Sequence, residues 1–461
     1  MSGFASALDI AKDIAAGKLS AREAAQAALA RVAALNPKLN AFTLVTSERA
    51  LKEAAAVDAA RARGEKLPPL AGVPYAVKNL YDIEGVVTLA GSRIEASKPP
   101  AARDATAIFR LAKAGAVLVG ALNMDEYAYG FVTENSHYGV TRNPHDPSRI
   151  CGGSSGGSAA SVASGMVPLA LGSDTNGSIR VPAAFCGIFG LKPTYGRLSR
   201  AGAYPFAASL DHVGNFARSV ADLVACYDAM QGPDERDPVC RQGPAEPVSP
   251  QLARGIEDLR VAVAGGYFAP ENAELKEILD RAAKALKASR QVEIPEAGRA
   301  RASAFLITAA EGGMLHLADL KTRAAEFDPA TRGRLIAGAL IPAAWVIAAQ
   351  RFRSWYHDRV LALFRETDII LAPCAPDVAP PIGQESMEIG GVSVNLRANL
   401  GLYTQPLSFI GLPIVAAPIA RSGGLPLGIQ IIAAPWREDL ALRAAYALER
   451  DGIAAAPIPT L

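Results

Sequence analysis

The chain has 461 residues, of which half are hydrophobic and a fifth are charged. This composition can bury a large core and excludes a mostly disordered protein. Lysine and arginine number 47 against 45 acidic residues, a balance that gives no reason to expect a surface for nucleic acid or anionic membrane.

The first 65 residues are predicted to form a helical layer. Ser20 followed by Glu23 fits a capping box, in which the two side chains satisfy free backbone amides at a helix start. Apolar residues then recur at helical spacing to about Leu35, and Asn36-Pro37 is expected to end this helix. A second helix is predicted over residues 48–63.

Short apolar runs alternate with helical segments through the rest of the chain, which predicts an α/β fold with helices on both faces of a sheet. The predicted strands are 74–77, 116–120, 167–171, 259–264, 291–294, 369–372 and 414–417, and the predicted helices are 104–114, 217–231, 272–289, 343–366 and 438–450. The proline-rich stretch 243–250 is either a linker or a loop. Because the same pattern resumes beyond it, we favour a single domain over residues 1–461.

The cysteines and the chain start indicate a cytoplasmic location. Five cysteines with no Cys-x-x-Cys pair favour reduced thiols over a disulfide framework or a zinc ribbon. Residues 1–5 lack the pattern of a signal sequence. The uncharged run 150–173 is crowded with serine and glycine, and the apolar run 335–349 is too short to cross a membrane.

Three segments carry residues suited to chemistry: Lys78 at the end of a predicted strand, the Gly/Ser-rich stretch 151–158, and the stretch 172–180. A lone lysine after a strand is usually solvated, and a Gly/Ser run is usually a flexible linker. This run, however, lies between apolar strands. Its glycines are better interpreted as letting the backbone approach another group closely, which leaves amides and hydroxyls exposed.

Together these segments predict nucleophilic catalysis by serine with lysine as the base. A serine hydroxyl needs a base to remove its proton, and a lysine can serve when burial lowers its pKa. None of the five histidines lies in the Gly/Ser-rich segments. The backbone amides of Thr175 to Ser178 could stabilise the oxyanion of a tetrahedral intermediate.

An alternative uses histidine as the base. Gly152-x-Ser154-x-Gly156 matches the short G-x-S-x-G pattern of α/β-hydrolases. In that interpretation Ser154 is the nucleophile, and a downstream aspartate with His316 or His357 completes a triad. The alternative leaves Lys78 and the segment 174–180 without a role.

The three segments, in this order, resemble the amidase signature family. Further stretches that resemble the family are Gly72-Val73-Pro74, Asn123-Met124-Asp125-Glu126, Thr133-Glu134-Asn135-Ser136, Thr141-Arg142-Asn143-Pro144, Gly190-Leu191-Lys192-Pro193-Thr194-Tyr195-Gly196-Arg197 and Gly424-Leu425-Pro426-Leu427-Gly428-Ile429-Gln430. The resemblance implies the amidase signature fold, with one large, twisted, mixed β-sheet, and an amidohydrolase that needs no metal or other cofactor.

The resemblance also implies a role for each site residue. Ser178 is expected to be the acyl-forming nucleophile, Ser154 the bridging serine after a cis peptide bond from Gly153, and Lys78 the base. The remaining expected roles are the oxyanion hole (Thr175, Asn176, Gly177 and Ser178), structural support (Asp174 and Arg180) and substrate binding (Tyr127, with Gln405 as a further candidate for lining the pocket). Asn176 departs from the glycine that many members carry, so its side chain is expected to narrow the pocket or bond substrate.

Within the family, the wider sequence resembles two branches. One acts on 1-carboxybiuret in s-triazine breakdown, and the other supplies the glutaminase chain of tRNA-dependent amidotransferases. We favour the first, with a small-molecule amide substrate, two copies of the chain, and two copies of a small helical companion similar to the smallest chain of the amidotransferase. The alternatives are the amidotransferase chain and another amidase of small amides. A carboxylated substrate needs a cationic clamp, for which His316, Arg323 and Arg332 are candidates.

Overall fold

The fold is described from a computed structural model, and the structure describes residues 5–460. The expectation of no signal sequence falls largely on residues 1–4, which lie outside the described residues, as does residue 461. Among the described residues, no single helix is long and apolar enough to cross a membrane. One pair of consecutive helices, Pro329–Ala339 and Ala343–Leu363, meets the length and composition test only when taken together, and it is bent by 94°.

The elements alternate along the chain much as the sequence predicts. The helices are α1 (Ala7–Ala15), α2 (Ala21–Leu39), α3 (Ser47–Ala62), α4 (Thr106–Lys113), α5 (Gly156–Ala163), α6 (Arg180–Phe185), α7 (Val220–Met230), α8 (Ala273–Ala285), α9 (Ala297–Leu315), α10 (Leu317–Thr322), α11 (Pro329–Ala339), α12 (Ala343–Leu363), α13 (Leu396–Asn399), α14 (Gln405–Ser408) and α15 (Glu438–Arg450). The strands are β1 (Phe42–Val45), β2 (Pro74–Lys78), β3 (Val117–Leu122), β4 (Glu134–Asn135), β5 (Gly139–Val140), β6 (Arg142–Asn143), β7 (Asp146–Ile150), β8 (Leu169–Asp174), β9 (Phe189–Lys192), β10 (His212–Ala217), β11 (Val261–Ala264), β12 (Arg290–Val292), β13 (Ile369–Pro373), β14 (Ser386–Ile389), β15 (Val392–Asn395), β16 (Ile414–Pro418) and β17 (Gly428–Ala433).

One mixed sheet organises the molecule. Its eleven strands lie in the order β1-β3-β2-β8-β10-β9-β16-β17-β13-β11-β12. β2 is parallel to β3 and β8, whereas the run from β8 to β13 is antiparallel. Every residue of β2, β3 and β8 is buried, which requires cover on both faces. The predicted mixed α/β sheet is confirmed.

The proline-rich stretch 243–250 connects two parts of this sheet. β11 follows it and pairs with β13 and β12. A linker between separate sheets is therefore excluded. A single domain over the whole chain stays a prediction.

The first predicted helix ends later than expected. α2 runs through Pro37 to Leu39, and Asn40 closes it in the left-handed region with φ 51°. The Asn36 side chain also bonds both backbone groups of Phe42, at 2.7 and 3.1 Å. The turn comes after Pro37 because these local side-chain bonds, together with the left-handed Asn40, determine the helix end.

The register of β2 against β8 positions the chemistry. Tyr75 pairs with Leu169 and Val77 with Leu171. β8 begins two residues later than predicted and continues to Asp174, so the stretch after Leu171 is still strand. Lys78, the last residue of β2, therefore lies beside the segment that contains Ser173.

Candidate active site

Lys78 is fully buried and carries no ion pair to any described carboxylate. Its Nζ donates to Ser154 Oγ at 2.6 Å and to Ser173 Oγ at 2.9 Å. Burial lowers the pKa of the Lys78 ammonium to about 7, and the charges of Asp125, Asp211 and Asp174 only partly oppose this shift. A large fraction of the amine is therefore neutral near pH 7 and able to accept a proton.

Ser154 stands in a backbone turn into which only glycine fits on its amino-terminal side. The Gly153–Ser154 peptide bond is cis, as the resemblance implies. A Cβ on Gly153 would lie 2.1 Å from the Asp125 carboxylate. That carboxylate accepts the Thr133 amide at 3.0 Å, and Thr133 Oγ1 donates to Gly152 O at 2.9 Å. The Gly/Ser-rich stretch is thus a fixed part of the core rather than a linker.

The loop that carries Ser178 is fixed by a buried ion pair. Arg180 donates to both Asp174 oxygens at 3.0 Å, from Nε and Nη2. Although burial opposes ionisation, Arg180 holds the pKa of Asp174 well below its usual range. Asp174 also accepts the backbone amides of Gly177 at 2.7 Å and Ile179 at 3.1 Å. Both predicted support residues thus bond within this loop.

The bond to Asp174 removes the Gly177 amide from the predicted oxyanion hole. Among the described residues, the backbone amides of Thr175, Asn176 and Ser178 donate to no protein group. Gly177 has φ 136°, and a Cβ there would lie 2.2 Å from Thr404 Oγ1. Its role is to let the loop turn tightly against Thr404, while the other three amides stay available.

Ser178 opens onto a cavity of about 490 Å³. Its hydroxyl has no hydrogen-bond partner among the described residues, whereas Ser154 bonds Lys78. Thr175, Asn176 and Gln405 line the same cavity, as do Arg334 and Arg397. Hydrogen bonds between catalytic groups often form only with substrate bound, so an unengaged nucleophile facing a cavity is suited to attack a bound carbonyl.

Tyr127 does not line this cavity. Its hydroxyl donates to Glu95 at 3.0 Å, and its ring centroid lies 3.9 Å from that of His316. Its backbone is in the left-handed region with φ 50°, which turns the chain so that Ala128 and Tyr129 line the cavity instead. The structure therefore gives no support to Tyr127 as a substrate-binding residue, and it places Tyr129 on the cavity wall.

The predicted cationic candidates also lie away from the cavity wall. Arg323 pairs with Glu326 at 2.7 Å, and Arg332 is not among the lining residues. His316 is buried against Tyr127, and burial lowers its pKa to about 4, so it is neutral near pH 7. His357, the other histidine of the alternative triad, pairs with Asp358. No described histidine bonds Ser154.

Two cations line the cavity, and of these Arg334 has no carboxylate partner among the described residues. Its Nε donates to Ala330 O at 2.9 Å and its Nη2 to Tyr129 O at 2.5 Å, and its guanidinium lies 4.2 Å from the Tyr129 ring centroid. It pairs with no carboxylate among the described residues, whereas Arg397 pairs with Glu134. Burial lowers the pKa of Arg334, yet a guanidinium stays charged.

Two close approaches of glycine to backbone bring Arg334 to this position. A Cβ on Gly338 of α11 would lie 1.9 Å from Ala309 O of α9, and one on Gly313 of α9 would lie 2.3 Å from Ala339 N. The helices therefore cross in direct backbone contact. These glycines are the only sequence signal that could have pointed to Arg334, because they mark a close contact between two helices. That signal can be interpreted only once α9 is known to be a helix.

The chain belongs to the Amidase family, whose model matches residues 23–442. It is a hydrolase of this class, and the predicted resemblance is confirmed. The chain is 56% identical over 451 residues to AtzE, a 1-carboxybiuret hydrolase chain of Pseudomonas sp. (strain ADP), with 97% of this chain and 98% of that protein covered. It is 38% identical to the GatA-type chain of the glutamyl-tRNA(Gln) amidotransferase of Chloroflexus aggregans (strain MD-66 / DSM 9485), with 95% and 94% covered.

A solved structure agrees with this assignment. It is an inhibitor-bound protein complex described as vestigial and as revealing the evolutionary origins of an s-triazine catabolic enzyme. That chain is 55% identical to this one and matches it with a TM-score of 0.96. The match covers 98% of this chain and all of that chain.

Proposed function

We propose that the chain hydrolyses 1-carboxybiuret, adding water and releasing ammonia and urea-1,3-dicarboxylate. The relative at 56% identity bears the name of that activity. The observation that carries the proposal is Arg334, a cation in the cavity onto which Ser178 opens that pairs with no carboxylate of residues 5–460. A buried cation favours an anionic ligand, because an unpaired charge in a pocket is costly.

The substrate carboxylate would pair with Arg334 while its terminal amide lies at Ser178. Two guanidinium nitrogens of Arg334 are held by Ala330 O and Tyr129 O, so its plane is fixed before substrate binds. Such preorganisation reduces the entropy lost on binding. The amidotransferase alternative would use the same serine and lysine residues of this chain. Only the substrate therefore distinguishes it from this proposal.

The proposed acylation passes protons from Ser178 to Ser154 and from Ser154 to Lys78. Neutral Lys78 takes the proton of Ser154, and Ser154 takes the proton of Ser178 as Ser178 Oγ attacks the terminal carbonyl. The developing oxyanion accepts hydrogen bonds from the free amides of the 175–178 loop. The proton on Lys78 returns through Ser154 to the leaving nitrogen, the C–N bond breaks, and ammonia departs.

Deacylation repeats this path with water as the nucleophile. Water loses its proton through Ser154 to Lys78 and attacks the acyl carbon, and the ester oxygen of Ser178 regains the proton. Ser173 accepts a hydrogen bond from Lys78 throughout, so it orients the amine without taking part in the transfer. The cycle consumes one water and needs no other co-reactant.

The kcat/KM for amide hydrolysis is expected to rise with pH through about 7 and then level off. The base is the neutral amine, the pKa of Lys78 is lowered to about 7, and kcat/KM reports the ionisation of the free enzyme. A Ser173→Ala variant should move the midpoint to lower pH, because it removes an acceptor that stabilises the ammonium. A pH profile of kcat/KM for a neutral amide measures the midpoint of the wild type and of the Ser173→Ala variant. A wild-type profile without an ionisation near pH 7 would contradict the role of Lys78.

The chain is proposed to act with a companion protein, two copies of each. The support is the solved relative, which was described as a protein complex, and an exposed apolar surface. Four large apolar side chains at the ends of α9, α11 and α12 are mostly exposed: Met314, Leu340, Trp345 and Ile347. Large apolar side chains exposed at the ends of neighbouring helices are typical of protein contacts. The small helical character of the companion and the cytoplasmic location stay predictions.

The test is ammonia release from 1-carboxybiuret, biuret, glutamine and simple amides, with and without a small helical partner. We expect 1-carboxybiuret to have the highest kcat/KM. Rapid turnover of glutamine without turnover of 1-carboxybiuret would overturn the proposal in favour of the amidotransferase function. Light scattering of the co-expressed chains measures the proposed stoichiometry.

A further inference from the structure

Two buried amide side chains in the cavity each leave one polar atom without a partner. Gln405 is 1% exposed and Asn176 is 7% exposed, and both line the cavity onto which Ser178 opens. Among the described residues, Gln405 Nε2 and Asn176 Oδ1 have no hydrogen-bond partner. Buried polar atoms are normally paired, so such atoms at a binding site indicate that the ligand supplies the partner.

The orientation of the Gln405 amide is fixed by an arginine. Arg301 Nε donates to Gln405 Oε1 at 2.9 Å, and a guanidinium can only donate. The amide oxygen must therefore face Arg301, which leaves the NH₂ group as the free donor. Arg301 is in turn held by Ala398 O at 2.7 Å and Asn399 Oδ1 at 2.8 Å.

Asn176 presents the complementary group. Its amide bonds Thr308 Oγ1 at 2.9 Å with Nδ2 as the donor. A threonine hydroxyl can also donate, so this orientation, which leaves Oδ1 as a free acceptor, is part of the proposal. Its backbone oxygen accepts from Thr404 Oγ1 at 2.7 Å, and Thr404 directly precedes Gln405. A donor and an acceptor are thus held in one frame, on the wall of the cavity onto which Ser178 opens.

We propose that these two atoms select acyl ureas. Gln405 Nε2 donates to a carbonyl oxygen of the substrate, and Asn176 Oδ1 accepts from the N–H that lies between two carbonyls. The inference rests on the proposed function for the placement of substrate at Ser178, and it deepens that function by naming the two residues that select the ureide group. A substrate with a methylene in place of the N–H leaves Asn176 unpaired.

Biuret and malonamide form the test pair, since they differ only in N–H against CH₂ between the two carbonyls and neither carries the carboxylate that Arg334 would bind. Each is measured as a competitor of fluorophosphonate labelling at Ser178, and as a substrate by ammonia release. We expect the wild type to prefer biuret by about 10-fold, the scale of one buried hydrogen bond. Asn176→Leu and the smaller Asn176→Ala should bring the ratio close to one.

Two variants separate hydrogen bonding from shape. Asn176→Asp keeps an acceptor oxygen and should retain the preference, while Gln405→Met keeps the length but should weaken both compounds by about 10-fold at an unchanged ratio. Because the ratio is measured within each variant, a general loss of activity cancels.

Three results would overturn the inference: no preference in the wild type, a preference that survives both Asn176→Leu and Asn176→Ala, or no competition by either compound at millimolar concentration. If the biuret preference holds but 1-carboxybiuret is not hydrolysed, the proposed function fails and the inference stands. If 1-carboxybiuret is hydrolysed but biuret is not preferred over malonamide, the inference fails and the proposed function stands.

Discussion

A Lys78→Met variant is expected to lower kcat/KM for amide hydrolysis by about 10⁴-fold or more, the scale on which serine hydrolases lose activity without their base. Methionine fills a similar volume in this buried site but cannot accept a proton. No substitute base is at hand, because Lys78 is the only basic side chain that bonds Ser154 among the described residues. Initial rates of ammonia release measure the loss.

Serine variants test which hydroxyl, that of Ser178 or that of Ser154, is the nucleophile. Ser178→Ala should abolish labelling by a fluorophosphonate, whereas Ser173→Ala, the matched control, should be labelled and should retain most activity at a pH above its shifted midpoint. Labelling of Ser154 in the Ser178→Ala variant, or a Lys78→Met variant within about 10-fold of wild-type activity, would instead support a different nucleophile and base.

An Arg334→Met variant is expected to raise the KM for 1-carboxybiuret by about 10²–10³-fold, the range for loss of one partner of a buried charge pair. The value of kcat should change much less, since the guanidinium would hold the substrate in the ground state and the transition state alike. Neutral biuret should be affected little. Michaelis–Menten kinetics with both substrates measure this split.

Two arginines serve as controls for charge alone. Arg332→Met removes a cation from the same helix but outside the cavity wall, and should leave the KM for both substrates unchanged. Arg397→Met removes a cavity cation that is already paired with Glu134, so its effect should be smaller than that of Arg334→Met. Equal loss of biuret and 1-carboxybiuret turnover in Arg334→Met would contradict the clamp.

The local part of the site could be predicted from the sequence. The glycine and serine content of the segments that contain Ser154 and Ser178 singled them out for a physical reason. The roles of these serines, of Asp174 and of Arg180 came from the family resemblance, as did the cis peptide bond that the structure has. Lys78 lies at the end of an apolar strand that the sequence pattern predicts. The α/β sheet was also predictable, because apolar runs that alternate with helices are compatible with few other architectures.

The substrate wall could not be predicted because it depends on helix crossings. α9 contains Gly312-Gly313, which disfavours a helix, so the helix that carries Arg301 and Thr308 was missed. Arg334 and Gln405 come to the cavity from elements far apart in the sequence. The predicted strands also omit β1, β9, β10 and β17. The omission has a local reason in β9 and β10, whose interior glycines Gly190 and Gly214 weaken the strand pattern.

The pairing of β2 with β8 has a consequence for how the chain tolerates insertions and deletions. Side chains alternate between the two faces of a strand, so a slip of one residue would turn the lysine at the end of β2 away from both serines. A single-residue deletion between Val73 and Lys78 should thus silence the enzyme even if the molecule still folds. Length changes in the surface loops far from this strand pair carry no such penalty, and natural variation in chain length should collect there.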